Sequence, residues 1–166
     1  MGIQFAVAAV TIAAAIGGAA QRRVPDQTQD GKVPVTIAIR SGADAYDFTG
    51  KATCTHAPVA SIYDVRAEQW RVDQSEGGKS LALTLWRPGS GADMFTLSLS
   101  PGAKRHSVDT VKVGAKGTPQ GSGTVTLAPE GTGGTFTISA VAADGARISG
   151  TVKCGAFTAA IAEGGH

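Results

Sequence analysis

Apolar residues alternate with polar ones over most of this chain, a period of two that marks strands with one buried face. Val33, Val35, Ile37 and Ile39 alternate with Pro34, Thr36 and Ala38, giving a first strand from Val33 to Ile39. Pro34 has no amide hydrogen, so it belongs at an edge or at the strand's start. In Ala45 to Thr55, residues Tyr46, Phe48, Gly50, Ala52 and Cys54 share one parity, which aims Cys54 where the aromatics point. The stretch Ser61 to Val72 is mixed, because Tyr63, Val65 and Ala67 take one parity while Trp70 and Val72 take the other. A bulged strand would accommodate this. The favoured reading is a short helical turn from Asp64 to Gln69, with Asp64 as N-cap.

A hairpin follows, with strands Trp70 to Gln74 and Ser80 to Trp86 around Glu76-Gly77-Gly78-Lys79, and with Leu81, Leu83 and Leu85 inward. Met94 to Ser100 places Phe95, Leu97 and Leu99 inward. Ser107 to Val113, Gly123 to Leu127, Thr135 to Ala140, Arg147 to Cys154 and Phe157 to Ile161 complete the set. Gly114 to Gln120, Glu130 to Gly134 and Ala143-Asp144-Gly145 are turn material, the last predicting a type I′ turn. Eight to ten short strands and no helical periodicity beyond residue 30 predict an all-β antiparallel sandwich or flattened barrel.

The chain begins differently. Ile3 to Ala20 is apolar, uncharged and ends in small residues, which predicts an apolar N-terminal helix serving as a signal peptide, with Gln21 first in the processed chain. No Lys or Arg precedes the run, whereas Arg22 and Arg23 follow it, so an uncleaved membrane anchor is the alternative. The expected organisation is therefore 1–20 signal peptide or anchor, 21–32 flexible leader and 33–162 β-domain. The expected location is periplasmic or secreted, or membrane-anchored through residues 3–20.

Composition adds little chemistry. A net charge of +2 with scattered basic residues argues against nucleic acid, which asks for a clustered positive face. The two cysteines, Cys54 and Cys154, are expected to pair in an exported chain. Closing a loop of about 100 residues is worth up to about 4.7 kcal/mol in the chain-entropy description. Trp70 follows Cys54 as in an immunoglobulin domain, but Val152 stands where that fold's tyrosine would be.

His56, His106 and His166 lack metal-ligand spacing and read as surface residues; a copper-like set of Met94 with His56 and His106 would need assembly from distant loops. No metal or other cofactor is expected. Asp44, Asp47, Asp64, Glu68 and Asp73 supply the carboxylates a hydrolase would use, although acids near turns are ordinary solvation of strand ends. The glycine-rich runs Gly121 to Gly123 and Gly131 to Gly134 join strands and lead into no helix. Nothing here forms a catalytic constellation. What remains is a surface: Trp86 has the opposite parity to Leu81, Leu83 and Leu85, adjoins Arg87, and neighbours Arg71 and Trp70 on the preceding strand. An outward Trp with arginines suits a ligand or an envelope protein partner. In the competing reading, Trp86 packs in a small second cluster with Tyr63 or Trp70.

The segments FTGKATCT (Phe48 to Thr55) and ISGTVKCGAF (Ile148 to Phe157) resemble those of small exported bacterial β-sandwich proteins of unassigned function. The early G-x-x-x-C-T strand with a late cysteine strand is similar to mycobacterial LpqH-type lipoprotein antigens. The resemblance implies fold and compartment; it carries no functional residues, and the lipidated cysteine of those antigens is missing here. The expectation is an exported, non-catalytic binding domain, with an anchored structural envelope protein as the alternative.

Overall fold

A computed structural model describes residues 31–161. The strands are β1 (Lys32–Ser41), β2 (Asp44–Ile62), β3 (Val65–Glu76), β4 (Lys79–Pro88), β5 (Met94–Ser100), β6 (His106–Asp109), β7 (Ser122–Glu130), β8 (Gly133–Val141), β9 (Arg147–Cys154) and β10 (Thr158–Ala159). They form one sheet in the order β6-β5-β4-β3-β2-β1-β9-β8-β7, with β10 added to β2. Every pair on that path is antiparallel. The sheet curls until its outer strands meet, giving a nearly closed barrel rather than two separate sheets. Ala143 N donates to Ser107 O across the seam, and Asp109 exchanges backbone hydrogen bonds with Gln120. The expected N-terminal helix and most of the expected leader lie outside the described residues.

Alternation decides which side chains fill the barrel. Val33, Val35, Ile37 and Ile39 from β1, Leu81, Leu83 and Leu85 from β4, and Phe136, Ile138 and Val152 from β8 and β9 share one buried cluster. Pro34 is tolerated although β1 is central. Pairing with β9 begins only at Val35, and the Pro34 carbonyl accepts from Gly155 N just beyond that ladder. Lys32, assigned to the leader from sequence, is already paired with Thr53. Gly150 holds φ at +152°, and a Cβ there would collide with the backbone of Ala38 and Ile39. Only glycine lets β9 lie this close to β1.

Three local expectations are corrected. Asp64 to Gln69 is not helical: β3 runs straight through it, and Tyr63 and Asp64, both at positive φ, form the β2–β3 hairpin turn. Mixed parity arises because both faces of β3 are covered at this end. Trp70 and Val72 join the barrel core, whereas Ala67 packs outside with Ile62, Met94 and Val111. The bulge lies in β2, where the register shifts between Ala57 and Ala60. The Asp144-Gly145 turn is not type I′, since of the two only Gly145 has positive φ.

Cys54 and Cys154 are bonded, both fully inside. The bond links β2 to β9 across the start of β1. Immediately after it the chain crosses the barrel end as a strap: Gly155 N bonds Pro34 O, Phe157 N bonds Thr132 O, and Thr158 and Ala159 pair with Thr55 and His56. Beyond Lys32 there is no β1 to cover this part of β2, and β10 takes that edge. Replacing both cysteines by alanine should lower unfolding free energy by roughly 2–5 kcal/mol in denaturant titrations. An unchanged midpoint would show that strand pairing alone sets the stability.

Candidate functional site

The two ends of the barrel differ in chemistry. At the seam end, Ser41, Gln74 and His106 are buried polar residues at or next to a strand terminus. Tyr46, near the start of β2, is buried beside them in the same end layer of the barrel. Ser41 Oγ, the Tyr46 hydroxyl, Gln74 Oε1 and His106 Nε2 are enclosed without a hydrogen-bond partner. Burial pushes the Tyr46 hydroxyl above its ordinary pKa, and Glu76 reinforces the shift. His106, read from sequence as a surface residue, is 5% exposed, because its alternation in β6 points it inward beside Leu99. Its Nδ1 lies 2.8 Å from Asp144 Oδ2, so a side-chain contact backs the Ala143–Ser107 bond across the seam.

The opposite end is open. Here Trp70, 6% exposed, is held from both neighbouring strands. His56, its partner on β2, stacks on the indole with 4.6 Å between centroids and 3° between planes. From β4, the Arg87 guanidinium lies 5.1 Å from the Trp70 ring centroid. Such cation–π contacts contribute about 0.5–2 kcal/mol depending on desolvation. Arg87 is fixed in turn by Asp93, with Nη2 and Oδ2 3.1 Å apart. His56 Nε2 lies 3.5 Å from Glu68 Oε2, an ion-pair distance without a hydrogen bond. His56 is therefore a strand residue with a half-buried ring, not a loop residue on the surface.

Beside this stack opens a cavity of about 500 Å³, lined by His56, Trp70, Pro58, Leu127, Pro129 and Phe157, with Gly131 to Gly133 and Ala159 along the rim. Phe157 belongs to the strap and meets Phe136 edge-on at 5.9 Å, so the strap both closes the core and walls the cavity. A Cβ on Gly133 would strike the carbonyl of Cys154, so this glycine lets the β7–β8 turn sit against the strap. A second cavity of about 350 Å³, lined by Arg66, Glu68, Arg87 and Pro88, shares Pro58 with the first.

The four residues expected to form one Trp/Arg surface are divided by the sheet. Trp70 and Arg87 meet at the open end on the inner face. Trp86 and Arg71 lie on the outer face of adjacent strands, Arg71 opposite Thr84 and bound to both carboxylate oxygens of Asp73. Trp86 points away from the leucine face as its parity requires, and there it packs partly buried against Ile62, Ala67, Met94 and Val111. Tyr63 is 46% exposed.

The acids do not converge. Asp47 pairs with Arg40, Asp64 with Lys116, Asp73 with Arg71 and Glu68 with His56. Met94, His56 and His106 occupy three separate environments: the outer cluster, the open end and the seam. Among the described residues, no group of three or more His, Cys, Asp or Glu side chains is placed to hold a metal. No helix among them is long and apolar enough to cross a membrane. Comparison of the chain with protein-family models, curated proteins and solved structures finds no match.

Two outcomes follow. Trp86→Ala should cost roughly 1–3 kcal/mol of stability, since a half-buried indole leaves its cluster; no change in denaturation midpoint would show the ring to be idle. The Asp144 carboxyl is held below its ordinary pKa first by the Ala146 amide and then by His106. A depressed folded pKa stabilises above the usual aspartate range, and that stability is lost as pH falls through the folded value. Glu130, lowered by Lys153 and Thr135, titrates with the same sign, so the informative quantity is the difference between variant and parent. The thermal midpoint of Asp144→Asn should lie below the parent's at pH 6, with the gap closing as pH drops below about 4. A gap independent of pH would exclude the carboxylate as its cause.

Proposed function

We propose that this chain is an exported, non-catalytic binding domain whose ligand seats at the open end of the barrel. The observation that carries the reading is the cavity of about 500 Å³ walled by Trp70, His56 and Phe157. Barrel mouths are a common place for ligand sites, and this volume lies in the usual range of about 300–1,000 Å³. The stack of Arg87, Trp70 and His56 is held by the Arg87–Asp93 ion pair and by the pairing of His56 with Trp70 and Ala159, which supports a preformed wall with little ordering cost on binding. This moves the proposed contact from the outer Trp86 surface to the inner Trp70 layer, where Arg87 backs the Trp70 ring and lines the neighbouring cavity.

Export is supported by the apolar run before Arg22 and by the Cys54–Cys154 bond, which is consistent with a periplasmic or extracellular location. Retention at the membrane through residues 3–20 is the alternative address for the same domain, and the likeness to exported envelope antigens fits either.

Titration with 1-naphthol, followed by amide chemical shifts, tests the reading. Saturable perturbations should centre on His56, Thr132 and Phe157. Shifts centred on Arg71 and Trp86 would return the site to the outer face, and an unperturbed spectrum at millimolar probe would remove the binding proposal.

A further inference from the structure

We infer that the open-end cavity selects an uncharged, mainly apolar small molecule and rejects its ionised counterparts; this rests on the ligand-binding reading above. The lining is the first ground. Leu127, Pro129, Phe157, Pro58 and Trp70 present carbon surface, and the polar side chains in the lining are His56, whose Nε2 has no hydrogen-bond partner, and the uncharged Thr132.

The second ground is the distribution of charge. The lining itself carries no Lys, Arg, Asp or Glu, and the charged side chains near it among the described residues sit beside other groups of the protein. Arg87 is bound to Asp93 and covers Trp70, and Glu68 faces His56. Glu130, next to the rim, lies 2.7 Å from Lys153. Arg66, which has no ionic partner among the described residues, is exposed and lines the neighbouring cavity rather than this one. A carboxylate or ammonium entering beside Leu127 and Phe157 would lose water and meet no Lys, Arg, Asp or Glu among the described lining residues. Desolvating a charge without a partner is far costlier than desolvating a hydroxyl. The cavity therefore discriminates by charge, because its lining offers an ion no Lys, Arg, Asp or Glu to pair with.

Ala159 gives a way to probe the site without disturbing the core, since it is exposed in β10 and lines the cavity. The experiment compares 1-naphthol, 1-naphthoate and 1-naphthylmethylamine on the full chain at pH 7 by the same amide titration. Naphthol should bind at least about tenfold more tightly than either ion. Ala159→Trp, with an unchanged circular dichroism spectrum, should weaken naphthol by a similar factor. Equal or tighter binding of either ion would overturn the charge selection while leaving the ligand-binding reading in place. Absence of binding by all three would overturn both. Unaltered naphthol affinity in folded Ala159→Trp would put the probe elsewhere and overturn the assignment to this cavity.

Discussion

The pairing of β1 with β9 is the constraint on which this barrel depends. The first strand sits in the middle of the sheet, with β2 on one side and β9 on the other, and seven residues of β1 are in register with β9. Without that ladder the sheet falls into two parts, a six-strand run from β1 to β6 and a three-strand run from β7 to β9. The Cys54–Cys154 bond lies over this junction and spans 100 residues of sequence. A join between such distant segments is entropically costly to make, which is the condition under which a cross-link constrains the unfolded chain most. Topologies dominated by such non-local pairs also fold slowly.

The same junction builds the open end. β9 ends at Cys154, and the chain then crosses the barrel end, Gly155 N donating to Pro34 O and Phe157 N to Thr132 O. The crossing supplies Phe157 to the core and β10 to the exposed edge of β2 beside His56. His56 thereby lies two residues from the disulfide and is paired on both sides, to Trp70 on β3 and Ala159 on β10. The position of the aromatic stack is thus set by the register of β2 with β3 and β10. At the other end, closure leans also on a side-chain contact, His106 at the start of β6 meeting Asp144 in the β8–β9 turn.

Strand parity carried most of the fold. Met94–Ser100 and Arg147–Cys154 begin and end where alternation placed them, and the inward faces of β1, β2, β4 and β5 were legible, Cys54 included. Alternation failed at residues 56–69, where apolar side chains occupy both faces because the segment after β6 covers the outer one. For His106 the boundary failed rather than the alternation: the strand was expected to begin at Ser107, and Lys104 and Arg105 suggest surface, whereas β6 begins at His106 and its parity points inward. The site was half legible. Trp70 and Arg87 stood out as residue types, but their contact, and the presence of His56 on the far side of the ring, depend on register among three strands. Phe157 and Leu127 carry no local signal at all. Their role comes from a strap and a turn meeting at one rim.

The strap has a directional consequence. β1 starts at the open end, and β10 also lies there, against Thr55 and His56. Both limits of the described chain thus leave the barrel at the rim of the cavity, and the Asp144 turn is at the far pole. A short tether joined directly at residue 31 or 161 would hold the domain like a cup by its lip, with the mouth nearer the attachment than the seam.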